Sequence, residues 1–318
     1  MVSWCLGGKK GDIYNCSGKL RTFKLKIAGY NISFEASANG PGLAVSPKFL
    51  RNLSYDTNYD INIRIHSGSY NLPEEAERVF HAPYVEEKDG ILFHNNPNFW
   101  SVWKYNSDLY IRTIFPLSPD PKNAVLKFSL DEMEWDLWIE TGRTYTDPLE
   151  YPLDGLILYY LTVINKDIMI HASGINYSGE GYLFSGVSGK GKSTMAGIWD
   201  NQGAKVIHDD RLIIRKTGNG YIMFNTPVYD DDGPSDSPLN RIFLIEHGHE
   251  NRMTELKQAA AVSQVMANCI QHTWGPGIIS QLSGSIAEMC NIIPTYRLLF
   301  KPERSVIDYI LKQHEHSG

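Results

Sequence analysis

Eight consecutive residues, Gly186-Val-Ser-Gly-Lys-Gly-Lys-Ser193, satisfy the spacing G-x-x-x-x-G-K-[ST] at every position. Glycines in such a run let the backbone turn its N–H groups inward around phosphate oxygens, where side chains would block the approach. A short apolar strand precedes the run, and a helical pattern follows whose positive N-terminal end adds to the attraction for an anion. In a loop of this kind Lys192 reaches the β- and γ-phosphates of a nucleotide, and Ser193 places its hydroxyl on Mg²⁺. The expected nucleotide-binding residues are therefore Gly186, Ser188, Gly189, Lys190, Gly191, Lys192, Ser193 and Thr194. The expected ligands are ATP and Mg²⁺.

Two further features stand close by. Lys205-Val-Ile-His-Asp209-Asp210 ends in paired acids only seventeen positions after Lys192. An Asp-Asp pair is commonly a solvated strand end, but beside a phosphate loop it reads as part of the chemistry. Upstream, His171-Ala-Ser-Gly lies in a strand that pairs through a tight turn with the one entering the loop, which carries His171 toward the phosphates. The order is His strand, turn, strand, glycine loop, helix, strand, Asp-Asp.

Met169-Ile-His-Ala-Ser-Gly174, Gly186 to Thr194 and His208-Asp-Asp-Arg211, with the later Ile293-Pro-Thr-Tyr-Arg297, resemble the C-terminal catalytic domain of HPr kinase/phosphorylase. More widely, they resemble the HPr-kinase-like branch of the phosphoenolpyruvate carboxykinase superfamily. The likeness covers about half the chain, roughly Tyr151 to Leu311. It implies an α/β domain with a mixed sheet and a phosphate loop. It also implies that His171 and the Asp pair flank the γ-phosphate, with one Asp as the base for an incoming hydroxyl and the other, like Ser193, as a metal ligand; the preferred assignment is Asp209 as base and Asp210 as ligand. The signature by which HPr kinases bind their protein substrate is absent, so the resemblance points to some other hydroxyl acceptor. Phosphorolysis, the family's reverse activity, comes with the likeness.

The elements that must position these residues follow from periodicity. Phe23-Lys-Leu-Lys-Ile27, Tyr59 to Ile65 and Glu134 to Glu140 alternate apolar and polar with period 2, and similar runs occupy 90–94, 99–105, 109–115 and 125–130. Asn106-Ser-Asp108 is an expected hairpin turn. Residues 1–145 are therefore predicted to form a β-rich domain, an antiparallel sheet or partly closed barrel, with His66, His81 and His94 as ordinary strand or loop residues. Thr146-Asp-Pro-Leu-Glu-Tyr-Pro marks a seam, after which 146–318 reads as mixed α/β. Strands are predicted at 167–177, 182–185, 205–208, 211–216, 221–225 and 242–246. Helices are predicted at 156–164, 192–201, 256–274, 283–292 and 303–313. Asp230-Asp-Asp-Gly-Pro234 and His247-Gly-His249 read as loops.

Composition bounds the function. The chain has 318 residues, 42% of them hydrophobic and 21% charged, as in a soluble globular protein. Its net charge of −6 argues against a general nucleic-acid coat. The longest apolar stretch, 155–164, is about half of the roughly 20 residues a spanning helix needs. No apolar leader opens the chain, and Cys5, Cys16, Cys269 and Cys290 show no metal-ligand spacing, so a cytoplasmic location is expected. Two functions remain. One is an ATP- and Mg²⁺-dependent kinase acting on a hydroxyl of a peptide, protein or small molecule, without nucleic-acid or membrane partners. The other is a nucleotide-binding module whose β-rich half binds a peptide or partner, with little or no turnover.

Overall fold

The computed structural model describes residues 20–82, 99–115, 122–218, 220–230, 232–272 and 275–315, together with the short strands Trp4–Leu6, Ile13–Asn15, Glu86–Lys88 and Ile91–Phe93. His94, Asp231, Trp274, Cys5 and Cys16 lie outside the residues whose side chains are described. The protein is mixed α/β with two large sheets. By contacts it divides into two units, 1–161 with 227–233, and 162–226 with 234–318. The seam expected at 145/146 lies within the first unit. Among the described residues no helix is long and apolar enough to cross a membrane.

The first unit is built on an eight-stranded sheet. Its strands are β1 (Thr22–Ile27), β2 (Tyr30–Ala36), β3 (Ile61–Ser67), β4 (Glu77–His81), β5 (Trp100–Tyr105), β6 (Asp108–Ile114), β7 (Asn123–Phe128) and β8 (Glu134–Ile139). Their spatial order is β1-β2-β3-β8-β7-β6-β5-β4. Alternation places Ile61, Ile63 and Ile65 of β3, and Trp135, Leu137 and Ile139 of β8, on one buried face. The β5–β6 hairpin turns at Asn106, whose φ of 54° suits an asparagine.

The sheet departs from the antiparallel sheet or barrel expected. β2 and β8 both run parallel to β3, and β1 and β4 end the order as separate edges. Period-2 patterning reports which face is buried and carries nothing about the direction of a neighbour. Of the strand expected at 90–94, Ile91–Phe93 is a strand.

The second unit holds the other eight-stranded sheet, entered through α1 (Leu153–Asn165), a helix that begins in the first unit. Its strands are β9 (Ile168–Tyr177), β10 (Glu180–Ser185), β11 (Lys205–Thr217), β12 (Gly220–Asn225), β13 (Asp236–Pro238), β14 (Arg241–His247), β15 (Arg252–Leu256) and β16 (Thr295–Phe300). They lie in the order β13-β12-β11-β9-β10-β14-β16-β15, and β10, β14 and β16 are mutually parallel. No described strand of the first 145 residues joins this sheet.

Two apolar layers cover its faces. One contains Ile170, Leu183, Leu212 and Met223 with Val265 of α3 (Gln258–Met266) and Met289 of α4 (Pro276–Ile292). The other contains Phe184 and Phe243 with Trp199 of α2 (Lys192–Asp200) and Ile310 of α5 (Ser305–Glu315). β9 and β10 meet in a two-residue turn, Ser178-Gly179, with φ of 55° and 89°. That hand matches the twist of the strands it joins.

Two expectations here need correction. The strands predicted at 205–208 and 211–216 are one strand, so Asp209 and Asp210 sit in its interior instead of at its end. Both acids pair in regular register, Asp209 with Ser173 and Asp210 with Ala172, and the register shift between Gly174 and Ile175 falls before them, at Ile207. The single helix predicted at 256–274 is instead the end of β15, then α3, then a segment leading to α4. Gln258 has φ 51°, which breaks any helix continuing from Leu256, and Pro276 starts α4 at its first turn.

Candidate functional site

β10 ends at Ser185 and α2 starts at Lys192, so Gly186–Gly191 forms the connection between strand and helix. Gly191 occupies the N-cap with φ 93°, and Gly189 has φ 79°, conformations that a side chain resists. The first α2 bond runs from the Met195 N–H to the Gly191 carbonyl, so the N–H groups of Lys192, Ser193 and Thr194 precede any helical acceptor. At Gly186 a Cβ would lie 2.9 Å from the Ile245 carbonyl oxygen, so that glycine is set by close backbone packing on β14.

Lys192 is buried, at 8% exposure. Its ammonium donates to the Gly186 carbonyl at 2.9 Å, closing the loop on itself. Burial pushes this ammonium below its ordinary pKa, and the carboxylates of Asp209 and then Asp210 oppose the shift. The helix start and the Asp-Asp strand therefore share one electrostatic environment.

β9 brings the remaining groups. It pairs with β10 on one side and β11 on the other, with His171 opposite Arg211, Ala172 opposite Asp210 and Ser173 opposite Asp209. Ser173 is fully buried and donates its hydroxyl to the Asp209 carboxylate. Asp210 turns to other partners: His171 Nε2 lies 3.8 Å from its Oδ1 and Arg211 Nε 3.3 Å from its Oδ2. Consecutive strand residues point apart, and the two carboxylates accordingly have different neighbours. Burial lowers the pKa of the half-exposed His171, and Lys192 lowers it further, while Asp210 acts in the opposite direction. Its imidazole is neutral at neutral pH.

Other residues of the run behave differently. The Lys190 side chain is committed to Glu246 at 2.6 Å, and its N–H to the Val187 carbonyl, so it braces the loop against β14. That ammonium holds the Glu246 carboxyl below the usual range. Asp232 closes a turn by accepting the N–H groups of Val228 and Tyr229, the ordinary duty of such a residue.

His247 was expected in a loop and instead ends β14, against the glycine run. A Cβ on Gly191 would lie 2.8 Å from its Cε1 and 2.8 Å from Phe300 Cζ. Glu246 and His247 reach the loop because β14 is the parallel neighbour of β10, with Ser185 opposite Leu244. The only signal in the sequence is an acid and a histidine at the end of an apolar strand.

No protein-family description matches this chain, and no curated protein matches it. Among solved structures, the HPr(Ser) kinase/phosphatase from Coxiella burnetii is similar over 46% of this chain and 95% of that one. The two are 10% identical, with a TM-score of 0.29.

Proposed function

We propose that the chain binds ATP with Mg²⁺ at the 186–194 loop and transfers the terminal phosphoryl group to a hydroxyl of a peptide, protein or small molecule. The observation that carries this reading is the Lys192 ammonium. It is buried at the start of a helix and bonded to one carbonyl, beside helix N–H groups that have no helical acceptor. An ammonium has three donors, and leaving them desolvated is costly unless an anion completes the set.

The residues present fit the nucleotide: the glycines clear the backbone, and the first N–H groups of α2, which have no helical acceptor, lie at one end. They also fit Mg²⁺ in the manner usual for nucleotide sites. Among the described residues no three His, Cys, Asp or Glu side chains cluster as a metal cage, and Ser193 with Asp210 would provide the protein's share. The bound nucleotide supplies a phosphoryl group whose charge must be neutralised as it transfers.

The chain's own part is then assignable. Lys192 neutralises charge on the phosphates. Asp209, oriented by the Ser173 hydroxyl, takes the proton of the acceptor hydroxyl. Neutral His171 stands beside Asp210 as a hydrogen-bonding group. Arg211 shares the Asp210 carboxylate, so a metal held there would have to compete with an existing ion pair. The motif resemblance to HPr-kinase-like enzymes agrees with these roles, and transfer in reverse, phosphorolysis, would use the same groups.

The test is a direct titration of ATP with and without Mg²⁺, followed by a screen for labelled phosphate transfer over hydroxyl-bearing peptides and metabolites. Absence of ATP affinity at millimolar concentration would sink the proposal. Saturable binding without transfer to any acceptor would return the protein to the class of nucleotide-binding modules.

A further inference from the structure

The sheet of the first unit has two chemically distinct faces. One is the apolar face described above, against which α1 packs through Tyr160 on Phe128, with ring centroids 4.6 Å apart. The other is ordinary solvent face over β1 to β3, where Lys26 and Arg64 pair with acids. Over β5 to β8 it changes character and carries Trp103, Tyr110, Val125 and Trp138. Aromatic residues gathered on a solvent face mark a surface that meets another molecule.

The 68–72 loop folds over this corner. The Tyr70 ring lies 4.2 Å from that of Trp138 and 6.0 Å from that of Tyr110. Between the loop and the strands is a cavity of about 320 Å³, within the range of small-ligand sites. Its walls include Tyr70, Trp103 and Trp138, and Arg112 enters it from β6.

Among the described residues Arg112 has no charged partner. Its register neighbours are Ser101 and Val125, and its guanidinium makes no hydrogen bond or ion pair with any described residue. Three other described cations of this face are engaged. Arg64 lies 3.7 Å from Glu134, Lys127 is 2.9 Å from Asp108, and Arg78 lies over the Trp103 ring. The carboxylate in the cavity wall, Glu140, is held by the Asn123 amide at 2.6 Å. A planar cation without a partner among the described residues, set among aromatic walls, is complementary to one class of ligand.

We infer that this cavity binds a small organic carboxylate with a flat apolar body. The carboxylate pairs with the Arg112 fork, and the body lies against the Trp103 indole, because the Trp138 ring already carries Tyr70 and His66 at 4.2 and 4.8 Å. A doubly charged phosphate would call for a second free cation, and the lining contains none among the described residues. The site lies wholly within the first unit and does not depend on the nucleotide reading.

Phenylacetate serves as the probe, with phenethylamine and 2-phenylethanol as cationic and neutral controls. Binding to the full chain is followed by ligand-observed NMR and tryptophan fluorescence. Phenylacetate should bind saturably in the millimolar range expected of so small a ligand. Arg112→Gln should weaken it by about tenfold or more, the worth of a charge-assisted pair, while Arg64→Gln leaves it unchanged. Arg112 is exposed, so the variant should unfold at the wild-type midpoint. The proposal fails if phenylacetate shows no saturation below about 10 mM, if phenethylamine binds equally well, or if Arg112→Gln retains full affinity.

Discussion

Ser173 faces Asp209 across the β9–β11 pair and donates its hydroxyl to that carboxylate from a fully buried position. The bond restrains the orientation of that acid, so under the proposed function Ser173 is a positioning residue. Ser173→Ala should leave nucleotide affinity within about twofold and lower kcat by about tenfold, the worth of one hydrogen bond to a charged group. Ser173→Thr keeps a hydroxyl and should recover part of the loss. An Ala variant that changes KM and leaves kcat intact would place Ser173 in binding instead.

Under the proposed function, Lys192 is the side chain on which nucleotide binding turns. A ligand that binds only the folded state stabilises it by mass action, by about 2.7 kcal/mol at a hundredfold excess over Kd. That corresponds to a rise of a few degrees in the unfolding midpoint. Lys192→Ala should remove most of the rise with ATP·Mg²⁺, read by thermal unfolding with and without ligand. An undiminished rise would refute the phosphate-loop assignment.

His272 sets a pH dependence for the second unit. It is buried, and desolvation lowers its pKa to about 3. Its folded pKa is thus below the unfolded value of about 6.5. Between those values the unfolded chain binds the extra proton, so stability rises with pH across the window. The contribution is complete above about 6.5 and is lost as pH falls toward 3, with a limiting slope of about 1.4 kcal/mol per pH unit. His272→Gln should flatten the stability profile of this unit between those limits. Identical slopes in variant and wild type would show that His272 titrates normally.

How much of this was legible in the sequence varies with the kind of information each feature carries. The alternation of Phe23-Lys-Leu-Lys-Ile27 and the apolar run of α1 are written in side-chain type, because burial selects it directly. The glycine run was legible for the same reason, since few residues tolerate its backbone. The direction of β3 relative to β2 and β8 depends on neighbours distant in the chain, which periodicity does not encode. Asp209 and Asp210 read as a strand end because a solvated acid pair usually is one, yet Ser173, His171 and Arg211 supply partners that let the strand continue. His247 gains its place only when β14 docks parallel to β10.

Gly191 and Gly189 separate two costs of a methyl group. Both have positive φ, so alanine strains either by about 1–2 kcal/mol. At Gly189 the added carbon meets nothing within 4 Å, whereas at Gly191 it meets His247 and the fully buried ring of Phe300 at 2.8 Å. Phe300 is packed in the core and cannot swing aside. Gly191→Ala should therefore destabilise the protein by clearly more than Gly189→Ala in denaturant unfolding, and should also weaken ATP·Mg²⁺ binding. Equal costs at the two positions would show that the loop moves away from His247 and Phe300 without resistance.

The Asp pair distinguishes an enzyme from a binding module. Asp209 is bonded to Ser173 and is the larger of the two carboxylate influences on Lys192, whereas Asp210 is shared between His171 and Arg211. With Asp209 as base, Asp209→Asn preserves shape and should leave ATP·Mg²⁺ affinity nearly intact while transfer falls by about 10²–10⁴-fold. With Asp210 as metal ligand, Asp210→Asn should weaken the Mg²⁺-dependent part of nucleotide affinity and leave metal-free binding alone. His171→Ala should lower turnover more than affinity, because the imidazole is neutral and close to Asp210, where it orients without neutralising charge. Each variant requires paired measurements, nucleotide titration with and without Mg²⁺ and turnover on an identified acceptor. A reversal of the two Asp phenotypes exchanges their roles. Full turnover in both variants removes them from the chemistry, because no positioned base would then be at work.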